Sequence, residues 1–443
     1  MEGGPSAPTL LVACFHAPPG TAVGGLRWWG LSRHLARRGW RVHLLTAQEG
    51  SDREEVPEGM SVQVVPLDTT LNDRYLAWKQ ARASARPDSN PGSPDPAATG
   101  ESTGESGSGT LARVRKELGG LLSFPDEGRG WIRPLGAAMA EVIPRLRPDV
   151  VVSSGPPHSI HLGTGLGVRA SGVPWVVDFR DPWAEHLEAH PEISLAEPVV
   201  GRLEAGVIRR ATRVVTTTEK LAASMALRHR ECRTVTLPNG VDLGTLPRRP
   251  VNTKSGLRVA HLGTLYLQRD PIPVIRAFAR FVRANPPARS DGSVRSFIGH
   301  VQPDFLAAIE RAAQEEGVVE LVEIVPPCPR EEALHLLATT GVSLVLAQDQ
   351  KSAIPAKIYE AVGMGVPTLV ITEHDSASAA AGRKLGTAVH EAHDLEGMAR
   401  SLERAWRREW TGALPDGVLI DYADLAGEAA RILEACIPGR RTS

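Results

Sequence analysis

Short runs of consecutive apolar residues alternate along the whole chain with stretches whose apolar positions recur every three to four residues. TLLVACF (9–15), RVHLLTA (41–47), SVQVVPL (61–67), DVVVSSG (149–155), VPWVVDF (173–179), RVVTTT (213–218) and TVTLPNGVD (234–242) predict strands. Between the first two, GGLRWWGLSRHLARRG (24–39) carries Leu26, Trp29, Leu31 and Leu35 on a helical period and closes at Gly39. The segments 111–122, 131–146, 158–172, 195–211 and 219–229 predict further helices. After Asp242 the rhythm restarts: strand LRVAHLG (257–263), helix 271–285, strand SVRSFIG, a helix from near Pro303, strand VELVEIV, helix 330–339 and strand VSLVLA (342–347). IPAKIYEAVGMGVPTLVIT (354–372) predicts a short helix with Pro355 in its first turn, a stop at Gly363 and Gly365, and a buried strand. The last helical pattern covers 421–437.

Alternation of this kind predicts an α/β chain with parallel sheets covered on both faces. The restart divides it into a Rossmann-like domain over 1–242, a second over 243–415, and a terminal helix in 416–443 that packs back on the first. Two such domains facing one another place a ligand cleft between the carboxyl ends of their strands. Residues 84–110 are almost pure Ser, Gly, Pro, Asp, Glu and Thr, cannot bury a core, and read as a disordered insertion.

Composition narrows the function classes. The net charge of −1 gives no general attraction to nucleic acid or anionic lipid, and 5% aromatic residues provide few base-stacking platforms. Cys14, Cys232, Cys328 and Cys436 are far apart and form no CxxC pair, so neither a zinc site nor a disulfide framework is expected. The N-terminal stretch has no basic leader, and no run reaches the length of a membrane span, which together predict a cytoplasmic protein.

The candidate chemistry clusters after strands. Lys357 and Glu360, three apart, share one helix face: a cation for phosphate oxygens beside a carboxylate for sugar hydroxyls, or simply a surface salt bridge. Gly24 and Gly25 follow the first strand, where glycine permits a close approach, with Arg27 one turn into the helix as an acceptor-side candidate. His158 follows DVVVSSG; His161 reads as helix packing. Asp178, Arg180 and Asp181 end the strand VPWVVDF; their spacing is not that of a metal-binding DxD, and an arginine-bridged carboxylate network shaping the acceptor side is the better reading. GTGLG (163–167) follows no strand directly and is not the dinucleotide fingerprint, which argues against hydride transfer. No metal ligand set stands out.

Six blocks in order, PPGTAVGGLRW (18–28), SSGPPHSIHLGTGLG (153–167), VPWVVDFRDPW (173–183), LPNGVD (237–242), HLGTLYLQRDP (261–271) and IPAKIYEAVGMGVPTLV (354–370), resemble the family 4 glycosyltransferases of GT-B fold. The resemblance implies a retaining transfer of a sugar from a nucleoside-diphosphate-sugar to a saccharide, lipid-linked or small-molecule hydroxyl, with no cofactor and no obligatory metal. It implies that Arg269 and Lys357 grip the donor diphosphate, that Gly24 and Gly25 face it, that Glu360 holds ribose hydroxyls, and that His158 meets the donor sugar. The chain departs from the family pattern at Ser352, where the first glutamate of E-x7-E would stand. A nucleotide-sugar epimerase of the same two-domain build is an alternative, and the departure at Ser352 motivates another, a binding subunit without turnover. Lipid-linked acceptors are common in the family, so Trp28, Trp29 and Arg37-Arg38 are candidates for peripheral membrane contact at the inner face of the membrane, although helix packing and a solvated helix end are the stronger reading of these four residues.

Overall fold

A computed structural model of the protein describes residues 7–18, 23–47, 56–70, 124–185, 197–250, 256–265 and 269–439. The expected insertion 84–110 and the helical pattern 111–122 lie outside the described residues.

The two runs of strands build two parallel sheets, as the pattern predicts. The first contains β1 (Thr9–Cys14), β2 (Arg41–Thr46), β3 (Met60–Val64), β4 (Val150–Gly155), β5 (Trp175–Phe179), β6 (Arg213–Thr216) and β7 (Thr234–Thr236), in the order β3-β2-β1-β4-β5-β6-β7. The second contains β8 (Arg258–Leu262), β9 (Val294–Ile298), β10 (Val322–Val325), β11 (Val342–Leu346), β12 (Thr368–Ile371) and β13 (Ala388–His390), in the order β10-β9-β8-β11-β12-β13. Central strands such as β1, β4 and β11 are buried along their whole length, which is why they read as unbroken apolar runs. In each sheet the winding reverses beside the first strand, between β1 and β4 and between β8 and β11. Open α/β sheets bind ligands at such reversals, outside the carboxyl ends. Gly24 follows β1, His158 follows β4, Arg269 follows β8 and Lys357 follows β11, so the candidates sit at the two reversals.

The helix Tyr422–Glu434 returns from the second lobe to the first, as expected, and packs on the helix Leu26–Arg37. Gly30 makes room for it, since a Cβ there would collide with the Tyr422 ring, and Arg38 Nη2 donates to Ala423 O at 3.1 Å. The same cluster buries Trp28 and Trp29, which are 1% and 5% exposed. Helix packing, the stronger of the two readings of these rings, is what the structure has, and the apolar face they supply is covered by the terminal helix. Among the described residues no helix is long and apolar enough to cross a membrane.

A correction concerns the segment after β11. The helix runs only from Lys357 to Gly363, so Pro355 precedes it rather than occupying its first turn. The Pro355 carbonyl still accepts from Ile358 N at 3.1 Å, and Gly365, at φ +69, lets the chain turn into β12.

Candidate active site

The second lobe brings Lys357 and Arg269 together at the carboxyl end of β8. Lys357 opens its helix and lays its ammonium over Gly263, where a Cβ would collide with Nζ. Gly263 also has φ +112, a conformation that side chains resist. Lys357 is half-buried. Burial first, then the nearby Arg269 charge, push its pKa down to about 8, against the opposing pull of Glu360. Arg269 itself is half-buried and enters from the loop after β8. Two like charges held this close in partial burial form a receptor for a polyanion.

His261, one residue from the end of β8, lies inside this group. It is 1% exposed, and its Nδ1 lies 3.1 Å from the Leu344 carbonyl, which can only accept, so Nδ1 carries the proton. Burial, then the charges of Lys357, Arg295 and Arg269, hold its pKa well below normal and keep the ring neutral.

Glu360 is 4% exposed and pairs with Arg330 Nη2 at 2.6 Å. The acid is thus not on a solvated surface bridge with Lys357. Arg330, the first residue of the helix Arg330–Ala338, is a partner the sequence did not reveal.

In the first lobe Gly24 and Gly25 bend the chain back over β1. A Cβ on Gly25 would lie 2.6 Å from the His16 carbonyl, and one on Gly24 3.0 Å from Arg180 Nη1. His158 is 6% exposed, and its ring stacks on Trp183 with centroids 5.2 Å apart. His161 is fully buried with Nδ1 2.9 Å from Ser153 Oγ, the packing role expected of it. Burial drives its pKa down to about 3.

The acidic network differs from its expected form. Asp178 is bridged by Arg27 rather than by Arg180: Arg27 Nε and Nη2 donate to its two oxygens at 3.2 Å each. Trp28 Nε1 and Ser154 Oγ each donate at 2.7 Å. Burial alone would raise the Asp178 pKa, but Arg27 and these donors hold it below the usual carboxylate value. Arg27 is 2% exposed and reaches on to the carbonyls of Leu237 and Pro238 at 2.8 and 2.7 Å. It is therefore an internal strut and not an acceptor-side cation. Arg180 instead ties carbonyls together, donating to Gly155, Pro156 and Gly24. Asp181 is exposed, whereas Asp178 is fully buried.

The lobes meet at Ser352. Its Oγ donates to Glu185 Oε1 at 2.6 Å and its carbonyl accepts from Thr218 Oγ1 at 2.8 Å, while Ser224 Oγ donates to Glu185 Oε2 at 2.7 Å. A carboxylate therefore does reach the position where the chain itself has only a serine, and it comes from the opposite lobe.

One trio among the described residues, His34, Asp242 and Asp421, has atoms close enough for a metal. It fits poorly: Arg33 Nη1 and His34 Nε2 each lie 3.6 Å from Asp242 Oδ2, and Asp421 caps the terminal helix through Ala423 N at 3.0 Å.

Residues 24–240 match the family model of the glycosyl transferase 4-like domain. A D-inositol 3-phosphate glycosyltransferase of Thermobifida fusca is 24% identical over 255 residues, covering 50% of this chain and 57% of the relative. The same enzyme of Nocardiopsis dassonvillei is 24% identical over 282 residues, covering 58% and 62%. The chain thus spans less than two thirds of the length of these curated relatives. Among solved structures, sucrose-phosphate synthase from Thermosynechococcus elongatus aligns with TM-score 0.61 at 12% identity over 96% of this chain and 98% of that one. Anabaena HepE in complex with UDP aligns with TM-score 0.60 at 11% identity over 97% and 100%. An α,α-trehalose-phosphate synthase from Burkholderia xenovorans in complex with glucose-6-phosphate aligns with TM-score 0.59 at 15% identity over 96% and 100%.

Proposed function

We propose that this chain, a glycosyl transferase 4-like domain over residues 24–240 joined to a second Rossmann-like lobe in the GT-B arrangement, is a glycosyltransferase that uses a nucleoside-diphosphate-sugar. The observation that carries the reading is Lys357, laid over the glycine at the end of β8 with the Arg269 charge near enough to push its pKa down. That the HepE structure of similar fold contains UDP supports it.

In this reading the two cations grip the diphosphate and neutralise the charge that grows on it as the glycosidic bond breaks. No obligatory metal is required, because the cations already fill that role. Glu360, fixed by Arg330, takes the ribose hydroxyls. Gly24 and Gly25 bring the loop after β1 against the donor, and His158, held flat on Trp183, faces the reacting sugar. The acceptor is a hydroxyl of a saccharide, a lipid-linked sugar or a small molecule, docked on the first lobe. Asp178, Arg27 and Arg180 hold the loops in place without touching substrate. Transfer proceeds with retention, the departing phosphate oxygen taking the acceptor proton.

Isothermal titration with nucleoside diphosphates, followed by transfer assays with NMR of the product anomer, tests this. The expected result is binding that Lys357→Met weakens by at least tenfold, and a product with the donor's anomeric configuration. Donor converted without any acceptor would point to an epimerase instead. Binding without transfer across a broad acceptor panel would point to a non-catalytic subunit. Undiminished binding by Lys357→Met would refute the site.

A further inference from the structure

Arg295 is the second residue of β9, paired with Val259 of β8 on one side and Val322 of β10 on the other. It is 0% exposed, and none of its three guanidinium nitrogens has a hydrogen-bond partner among the described residues. Buried guanidinium groups are otherwise found paired, because an uncompensated charge in an apolar interior is strongly unfavourable. The carboxylate in the neighbouring strand does not serve. Glu323 is taken by Ser296 Oγ at 2.7 Å and Arg258 Nη1 at 2.8 Å, and Ser296, next to Arg295, projects from the opposite face of the sheet.

What Arg295 does touch is Phe297, two residues on and on the same face, with Cζ 3.9 Å from the ring centroid. This contact leans the guanidinium toward the carboxyl end of the strand. Phe297 is paired in register with His261, so the guanidinium lies one layer inside the Lys357–Arg269 group. The ring face offsets part of the charge. A buried water could accept from the nitrogens but would leave the net charge in place. His261 is neutral and adds no negative charge. Burial pushes the Arg295 pKa down to about 9, and no ion pair to Arg295 is formed among the described residues. The demand is for a negative charge with acceptor atoms, small enough to sit within the sheet–helix layer.

We propose that Arg295 holds a small inorganic anion inside the second lobe, beneath the Lys357–Arg269 pair and separate from the ligand those two residues bind. The anion completes the lobe electrostatically and is retained whether or not a nucleotide is present.

The test does not depend on any donor. Protein dialysed into sodium gluconate is titrated at constant ionic strength with sodium chloride or sodium phosphate, and the melting temperature is followed. Either anion should raise it saturably at ten times the apparent Kd, by about 3–6 °C if the second lobe melts as its own unit and by about 1–2 °C if the whole chain melts together. Arg295→Met should abolish the response; Lys357→Met should retain it. In gluconate alone Arg295→Met should melt no lower than the parent, since it removes an unpaired charge. The proposal is overturned by an unchanged response in Arg295→Met, by a lost response in Lys357→Met, or by a response that a saturating nucleoside diphosphate eliminates. The last two results would place the anion at the outer pair. If Arg295→Met does not fold, bromide-soaked crystals of the parent protein decide. An anomalous peak within hydrogen-bonding distance of the guanidinium supports the site, and its absence there overturns it. Failure of every nucleotide to bind would sink the glycosyltransferase reading and leave this one standing.

Discussion

If Lys357 and Arg269 hold a diphosphate as proposed, raising the pH through 8 should unload it by discharging one ammonium. Lys357 titrates near 8 instead of its ordinary 10.5, first because it is buried and then because Arg269 is close. That displacement corresponds to a penalty of roughly 3 kcal/mol on the charged form. A diphosphate removes that penalty, since its negative oxygens favour the ammonium. Its own last ionisation lies near 6, so its charge is constant above pH 7. Binding should therefore take up a proton at alkaline pH, and affinity should fall by up to a decade per pH unit above 8. Between pH 7 and 9.5 the loss should reach about thirtyfold. The apo fold should respond with the opposite sign. A lysine whose pKa is lowered on folding binds fewer protons folded than unfolded between 8 and 10.5, so its contribution favours the fold increasingly as pH rises. Titration calorimetry in buffers of different ionisation heat reads the proton uptake directly, and Lys357→Met should flatten the profile. A pH-independent affinity in the parent, or an equal decline in Lys357→Met, would refute the electrostatic argument.

Gly263→Ala places a methyl group against Lys357 Nζ at a backbone φ of +112, so it should weaken nucleoside-diphosphate binding by tenfold or more; a Kd unchanged by calorimetry would mean that Lys357 does not work from that position. Arg330→Met leaves Glu360 buried without its cation and should cost about 1.5–3 kcal/mol in urea unfolding, the range of a charged hydrogen bond, with binding of the nucleoside more affected than that of inorganic pyrophosphate. Arg27→Met strips the fully buried Asp178 of its counter-ion and should cost about 3–5 kcal/mol. Because the folded pKa of Asp178 is depressed, its contribution is fully present above pH 4 and disappears as acidity carries the carboxylate through that folded value. Arg27→Met should therefore lose part of the acid limb of the parent's stability profile, which chemical denaturation between pH 2 and 6 will read.

Strand positions were legible because a parallel sheet covered on both faces demands unbroken apolar runs, and the carboxyl-end reversals then fix where Gly24, His158, Arg269 and Lys357 must gather. The pairing of Lys357 with Arg269 came from the family resemblance, and the topology puts both after strands at the reversal of the second sheet. Partners distant in sequence were not legible. Nothing local announces that Arg330 will find Glu360 or that Arg27 will cross to Asp178, since each pairing is made by tertiary packing. Arg27 misled for a specific reason: one turn into a helix reads as surface, yet that turn lies beneath the Leu237–Pro238 carbonyls. Glu185 was passed over because it lies beyond the DFRDPW block, and only the meeting of the lobes shows that its carboxylate stands against Ser352.

The route of the last helix has a practical consequence for anyone cutting this protein. The matched domain ends at residue 240, but the first lobe does not, because its core includes Tyr422, Leu425, Ala429 and Leu433 from the far end of the chain. Val241 and Asp421 form a bridge where the two connecting segments run side by side. A fragment stopped at the apparent boundary would present Trp28 and Trp29 to water and should precipitate, and trimming the tail should damage the lobe farthest from it in sequence. Expression of the first lobe alone calls for splicing residues 420–439 back onto it as a tethered helix.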